Sequence, residues 1–265
     1  MTDRPVALIT GASSGIGAAM AATLAADGYD LVLVARRRER LEVLAKEVAD
    51  AGASSEIVSV DISDRAGIEL VADRAAAGDI DVLVSNAGVS AYGPFAEIAP
   101  ADLDRAWTLN ADATPFLARA ALPGMLERGR GGIIAVSSTL AFSAGVPAQA
   151  GGGRSLPKRA LYVSAKAGLV AFARALAVEL EGTGVHITVV CPGLVSSEWN
   201  DGASRVAAAM TPEDVARATW SSFTGGEVVC LPGLEDLDPL DRLAQAELGI
   251  VSGNITPVLA ARYRG

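Results

Sequence analysis

The chain has 265 residues, 51% hydrophobic and 20% charged, which suits one large α/β domain with a sizeable core and excludes global disorder. Lysine and arginine number 22 against 31 aspartates and glutamates, a formal charge of −9; this argues against a nucleic-acid binder, whose phosphate contacts need a basic face. Two cysteines, Cys191 and Cys230, and one histidine, His186, exclude a disulfide framework and make a poor zinc ligand set, so no metal is expected. The first residues lack the pattern of a secretory signal, and no apolar run approaches the roughly 20 residues that span a bilayer. A cytoplasmic enzyme with no membrane partner is the expectation.

Short apolar runs alternate with longer amphipathic stretches. Strands are expected at Val6–Thr10, Leu31–Ala35, Ser55–Asp61, Asp81–Ser85, Ile133–Ser137, Val185–Cys191 and, more weakly, Glu227–Leu231. Helices are expected at Ala18–Ala26, Arg38–Ala51, Arg65–Ala77, a long stretch from about Ala101 to Arg130, and Leu161–Glu181. Continuous β-branched runs suit strands covered on both faces, and strand–helix alternation implies a parallel sheet. The expected fold is a doubly wound, Rossmann-like, mainly parallel seven-stranded sheet in a single domain over 1–265. Its cofactor half runs to about 130, and its catalytic and substrate half from about 131. After about Gly249 the signals are weak.

The segment Thr10-Gly11-Ala12-Ser13-Ser14-Gly15-Ile16-Gly17 joins the first strand to the first helix. Glycines there allow a tight turn, and a helix N-terminus offers unpaired N–H groups and a positive dipole end to a pyrophosphate. Its position after a strand and before a helix is the context that makes such a motif meaningful. At the end of the second strand, where an NAD site would place an acidic residue, the chain has Arg36, Arg37 and Arg38. Arg36 could clamp a 2′-phosphate, so NADP (NADPH) is favoured over NAD, with Ser13 as a further contact. Arg38 and Arg40 read as a solvated first helical turn. Asp61 could accept from an adenine amino group, or act as a turn or helix cap.

Tyr162 and Lys166 lie at i and i+4 and share one helix face. A neighbouring ammonium is expected to lower the phenol's pKa and so make it a general acid/base. With Tyr162-Val163-Ser164-Ala165-Lys166 added to the glycine segment, the chain resembles the single-domain short-chain dehydrogenase/reductase family, closely from about Val6 to Ser197. Ser85-Asn86-Ala87-Gly88 matches the family's Asn-Asn-Ala-Gly segment with Ser85 in the first place, Asn110 its helix asparagine, Ser138 its catalytic serine, and Pro192-Gly193 with Val195 and Ser197 its carboxamide-holding segment.

The resemblance implies hydride exchange between nicotinamide and a carbonyl or secondary alcohol. In it Tyr162 handles the proton, Ser138 holds the substrate oxygen, Lys166 also holds the ribose, and Asn110 keeps a helix kink and anchors a relay water. Ile62, Arg37, Asn86, Ala87 and Gly88 are further implied cofactor contacts, and a homodimer or homotetramer is the usual assembly. From the residues themselves, Pro115 denies a partner to the Ala111 carbonyl next to Asn110.

Ser138 and Tyr162 stand 24 residues apart, farther than the family's usual spacing. The extra residues, Ala144–Ala160, include Gly151–Gly153, Arg154, Pro157, Lys158 and Arg159. They read as a basic lid over the active-site mouth or as a tolerated surface insertion. Tyr92, Trp199 and Met210 are candidate substrate contacts. Trp107 and His186 read as core or edge residues, and the cysteines as buried small hydrophobes. The competing functions are a cofactor-sensing protein without chemistry and an epimerase or dehydratase of related fold. Intact Asn110, Ser138, Tyr162 and Lys166 count against the first, and the little room for a longer C-terminal substrate domain against the second.

Overall fold

The computed structural model describes residues 4–150, 155–199 and 209–264. They form two compact units, 1–232 and 233–265. The first unit is built on seven parallel strands: β1 (Val6–Thr10), β2 (Asp30–Ala35), β3 (Ser55–Ser59), β4 (Ile80–Ser85), β5 (Gly131–Val136), β6 (Val185–Val190) and β7 (Val229–Cys230). Their order is β3-β2-β1-β4-β5-β6-β7. Every pairing is parallel. The order reverses between β1 and β4, and it is beyond the carboxyl ends of strands at such a switch point that doubly wound sheets bind ligands.

Helices cover both faces, which is why the strand sequences are continuously apolar rather than alternating. On one face α3 (Arg65–Ala75), α5 (Ala113–Arg128) and α6 (Ala160–Glu179) supply Ile68, Val71, Leu117, Met125, Val170 and Leu176, packed on Leu8, Leu83 and Ile133. On the other, α1 (Gly15–Ala26), α2 (Arg38–Asp50) and α7 (Pro212–Thr224) supply Met20, Leu24, Leu41, Leu44 and Phe223, packed on Ile9, Leu33 and Ile134. Asp64 caps α3, its carboxylate accepting from the Gly67 N–H at 2.8 Å; the cap is therefore Asp64, not Asp61.

The long helix expected over 101–130 is divided. The helix α4 (Pro100–Trp107) runs into a π-helical turn, Thr108–Asp112, and α5 follows. In that turn the Ala113 N–H donates to the Thr108 carbonyl, one residue farther back than in an α-helix. Pro115 stands just beyond, so the Ala111 carbonyl meets no i+4 donor, as the sequence requires. Trp107 is 40% exposed rather than core.

His186 lies at the sheet, its Nε2 3.0 Å from the Phe223 carbonyl, and both cysteines are buried. By length and hydropathy α6 could cross a bilayer, contrary to the sequence expectation, but one of its faces is buried in the fold, through Leu161, Tyr162, Ala165, Leu169, Ala173 and Leu176 together with Lys166. The second unit holds α8 (Asp238–Asn254), a helix not among those expected from the sequence.

Candidate active site

The site gathers at the carboxyl edge of the sheet. Beyond β5 the chain turns at Ser137 and Ser138, both buried. Ser138 caps a short 3-10 turn, its Oγ accepting from the Leu140 N–H at 3.1 Å. Its hydroxyl also reaches the Tyr162 phenol, in the first turn of α6. Ser137, not singled out from the sequence, locks α6 against β5 by donating to the Lys166 carbonyl at 2.8 Å. Lys166 Nζ donates to the Val136 carbonyl at 2.8 Å and lies 5.9 Å from the Tyr162 ring centre.

The electrostatics differ from the expected ones in one respect. Burial raises the Tyr162 pKa, Tyr92 raises it further, and the Ser138 hydroxyl pulls against both. Burial also drives Lys166 down to about 8. The cause is that desolvation opposes the charged form of each group, phenolate and ammonium alike. An ammonium already committed to a backbone carbonyl does not offset that cost for the phenol, so the expected lowering is absent.

Asn110 sits buried in the π turn. Its side-chain amide grips both backbone groups of one residue in the neighbouring loop: Oδ1 accepts from the Val89 N–H at 3.0 Å and Nδ2 donates to the Val89 carbonyl at 2.9 Å. Its side chain thereby pins the loop after β4, a role beyond those the resemblance implied. Gly88 is held equally closely, since a Cβ there would lie 3.0 Å from Asn110 Oδ1 and 3.6 Å from Lys166 Nζ. Asn86 ties the same loop to the end of β1, donating from Nδ2 to the Thr10 carbonyl at 3.0 Å, while Thr10 Oγ1 accepts from the Asn86 and Ala87 N–H groups. Thr10 opens the glycine segment, but its tie to the Asn86 loop was not expected from the sequence.

The glycine segment fits a dinucleotide phosphate. Gly11 has φ +68°, and a Cβ there would lie 2.7 Å from Asn86 Nδ2; one at Gly17 would overlap the Gly11 carbonyl. The turn is therefore as tight as backbone allows. Ser14 stands at the N-cap of α1 without capping it, which leaves N–H donors at the helix start for an anion. Ser197, after Pro192 and Gly193, comes against Gly15, whose Cβ would lie 3.3 Å from that of Ser197. Ile62 and Val195 are packed in the core, so only their backbone remains for a cofactor.

The arginines sort differently from the expectation. Arg36 lies 3.4 Å from Asp61, whose carboxylate also accepts from the Ser63 N–H at 2.9 Å. Burial would raise the Asp61 pKa, but these hydrogen bonds and the Arg36 charge bring it below its ordinary value. Arg37, instead, is the residue at the glycine segment: its guanidinium donates to Ser13 Oγ at 3.0 Å and Ser14 Oγ at 2.8 Å. Arg40 is exposed in the first turn of α2, as expected, and there it also meets Glu198, a partner 158 residues away that no local pattern reveals.

The aromatic residues close the other side. Tyr92 lies edge-on to Tyr162 with ring centres 5.0 Å apart, and Trp199 stands 6.0 Å from Tyr92 and 5.9 Å from Tyr162. Met210 is elsewhere, bridged to the backbone of Leu194 and Ser196 and packed on the α1 side of the sheet. In the 144–160 insertion, Gly151–Arg154 lie outside the described residues. Arg159 is committed, donating to Ser143 Oγ, the Ser143 carbonyl and the Val146 carbonyl. The Lys158 carbonyl accepts from the Gly93 N–H at 2.8 Å, which fastens the insertion to the Tyr92 loop.

Known proteins resemble this chain in sequence and fold. The short chain dehydrogenase family profile matches residues 5–206. A short chain dehydrogenase of Pseudocercospora fijiensis is 37% identical over 72% of this chain, and the match spans 60% of that protein. D-threitol dehydrogenase of Mycolicibacterium smegmatis is 33% identical over 74% of this chain and 72% of its own length. Among solved structures, a short-chain dehydrogenase from Sphingobium yanoikuyae in complex with NADPH superposes with a TM-score of 0.89 at 30% identity, covering 98% of this chain and 100% of the other. The bulky-bulky ketone specific alcohol dehydrogenase from Comamonas testosteroni gives 0.88 at 27% identity, with both chains covered in full. The chain belongs to the short chain dehydrogenase family, oxidoreductases that interconvert CH–OH and C=O.

Proposed function

We propose that the chain is an NADP-dependent reductase or dehydrogenase of an apolar carbonyl/alcohol pair. The observation that carries the reading is the meeting of Ser138 and Tyr162 beside Lys166, at the same sheet edge as the uncapped start of α1. A dinucleotide held there would supply or accept the hydride. The chain's own residues do the rest. The Ser138 hydroxyl orients the substrate oxygen, and the Tyr162 phenol gives it a proton in reduction or takes one in oxidation. Burial keeps that phenol protonated through neutral pH, the form that reduction needs. Lys166 holds the α6–β5 junction and offers its ammonium to the ribose.

For the dinucleotide, Arg37 with Ser13 and Ser14 is the group suited to a 2′-phosphate, since a guanidinium fork and hydroxyl donors match its oxygens. Arg36 and Asp61 stand beside them for the adenosine. Tyr92 and Trp199 around the phenol favour a substrate with apolar or aromatic bulk, in line with the bulky-bulky ketone specificity of the Comamonas neighbour. Assembly into a homodimer or homotetramer is supported by an apolar groove on α5 and α6 lined by Leu122, Leu126, Phe172 and Leu176.

The reading is tested by following NADPH absorbance against a panel of aliphatic and aryl ketones. Turnover of bulky ketones with NADPH supports it; turnover only with NADH, or only with small polar carbonyls, overturns the cofactor or the substrate part.

A further inference from the structure

The anion position beside Arg37 has a resident. Glu198 Oε2 lies 3.1 Å from Arg37 Nη1 and 2.5 Å from Arg40 Nη1. A single carboxylate thus bridges two guanidiniums at the start of α2, while Arg37 turns its remaining N–H groups to Ser13 and Ser14. Glu198 comes from a remote part of the chain, the segment that leaves β6 through Pro192 and Gly193, passes Gly15 at Ser197 and carries Trp199 to Tyr162. Among the described residues it is the acidic side chain that faces this arginine pair; Glu42 is taken up by Arg38, and Asp61 by Arg36 and Arg105.

We infer that Glu198 is a specificity-determining residue, an intramolecular competitor for the 2′-phosphate that also ties the Trp199 segment to the cofactor arginines. The inference rests on the NADP reading above. Its physical ground is that a 2′-phosphate brings about 1.5 to 2 negative charges to donors that one carboxylate already uses. Either the carboxylate leaves, surrendering its two ion pairs, or it stays and repels the phosphate. Both outcomes lower affinity for a 2′-phosphorylated nucleotide and neither touches one that lacks the phosphate. The half-exposed Glu198 side chain is free to leave, so NADP(H) binding releases a tether that NAD(H) binding leaves in place.

The experiment is calorimetric titration of adenosine 2′,5′-bisphosphate and of 5′-AMP into the full chain and into Glu198→Gln and Glu198→Ala, at low salt. Glutamine keeps size and hydrogen bonding but removes the charge. The expected result is 2′,5′-bisphosphate binding about three- to fivefold tighter in both variants, the scale of an exposed ion pair, with 5′-AMP unchanged. Unchanged or weaker 2′,5′-bisphosphate binding in both variants overturns the competition, even where the unaltered chain prefers that ligand and so upholds the NADP reading. If the unaltered chain binds the two nucleotides alike but the variants gain selectivity for the bisphosphate, the competition stands and the NADP reading falls. A gain of the same size for 5′-AMP also overturns the inference, because the effect would then not depend on the 2′-phosphate.

Discussion

Lys166 donates its Nζ proton to the Val136 carbonyl at 2.8 Å, fully buried, beneath a Tyr162 phenol whose own ionisation burial opposes. Two titrations with opposite signs follow. The native Lys166 loses its proton near pH 8, whereas in the unfolded chain it does so near 10.5. Between those values the unfolded state holds more protons, so raising the pH stabilises the fold. Tyr162 behaves otherwise: its native pKa lies above the ordinary 10.0, so above pH 10 the unfolded state alone loses the proton and stability falls.

Urea unfolding of the wild type and Lys166→Met at pH 7.5 and 9.5 checks the first titration. Part of the wild type's gain over that interval should vanish in the variant. Parallel pH dependence in the two proteins would show that Lys166 does not titrate in this window.

Tyr162→Phe keeps the ring against Tyr92 and Trp199 but has no proton to transfer. Turnover should fall by about 10²–10⁴-fold, the worth of positioned acid/base catalysis, while NADPH affinity stays nearly unchanged. Rates within threefold of the wild type would remove Tyr162 from the chemistry.

The two arginines at the end of β2 should separate in binding measurements. Arg37, on Ser13 and Ser14, should matter more for NADPH than Arg36, which faces Asp61. Hydrogen bonds to charged groups contribute about 1.5–3 kcal/mol net, so Arg37→Ala should weaken NADPH by about tenfold or more and NADH little. Arg36→Ala should affect the two cofactors similarly. Fluorescence titration decides it, and a larger NADPH-selective loss in Arg36→Ala would reverse the assignment.

How far each of these features could be read in advance depends on the range of the interaction behind it. The strands and the glycine turn were legible because their signals are local: β-branched runs, and glycines between a strand and a helix. Tyr162 and Lys166 were legible because helix geometry alone puts i and i+4 on one face. The π turn was half legible. Pro115 marks the weak point of the ladder, but the extra residue that bulges at Thr108–Asp112 is set by Asn110 gripping Val89 across the fold. The ion pair of Arg40 with Glu198 was beyond reach, since only the tertiary fold brings α2 and the post-β6 segment together. The phenol's raised pKa was missed for a related reason. Sequence shows which charge is near, whereas desolvation depends on what else is packed around it.

The insertion between Ser138 and Tyr162 gives the last prediction. Arg159 stands just before α6 and joins it to the far side of the insertion through three acceptors, at 2.8 Å to Ser143 Oγ, 2.8 Å to the Ser143 carbonyl and 2.7 Å to the Val146 carbonyl. Its neighbour Lys158 carries the Gly93 N–H on its carbonyl, and Gly93 follows Tyr92. The guanidinium is therefore a clamp, with its donors turned into the loop rather than toward an acidic substrate. Arg159→Ala leaves the Ser143 and Val146 carbonyls without that donor and frees the loop that positions Tyr92 against the phenol. KM for a bulky ketone should rise several-fold, as a mispositioned wall weakens substrate binding. NADPH affinity should hold, because Ser13, Ser14 and Arg37 are on the first and second βα turns. Arg159→Lys, which keeps the charge but not the three-way fork, should fail to restore KM. Steady-state kinetics on the ketone panel makes the comparison. If Lys restores the wild-type value, charge rather than the clamp is what matters, and the basic-lid reading of the insertion returns.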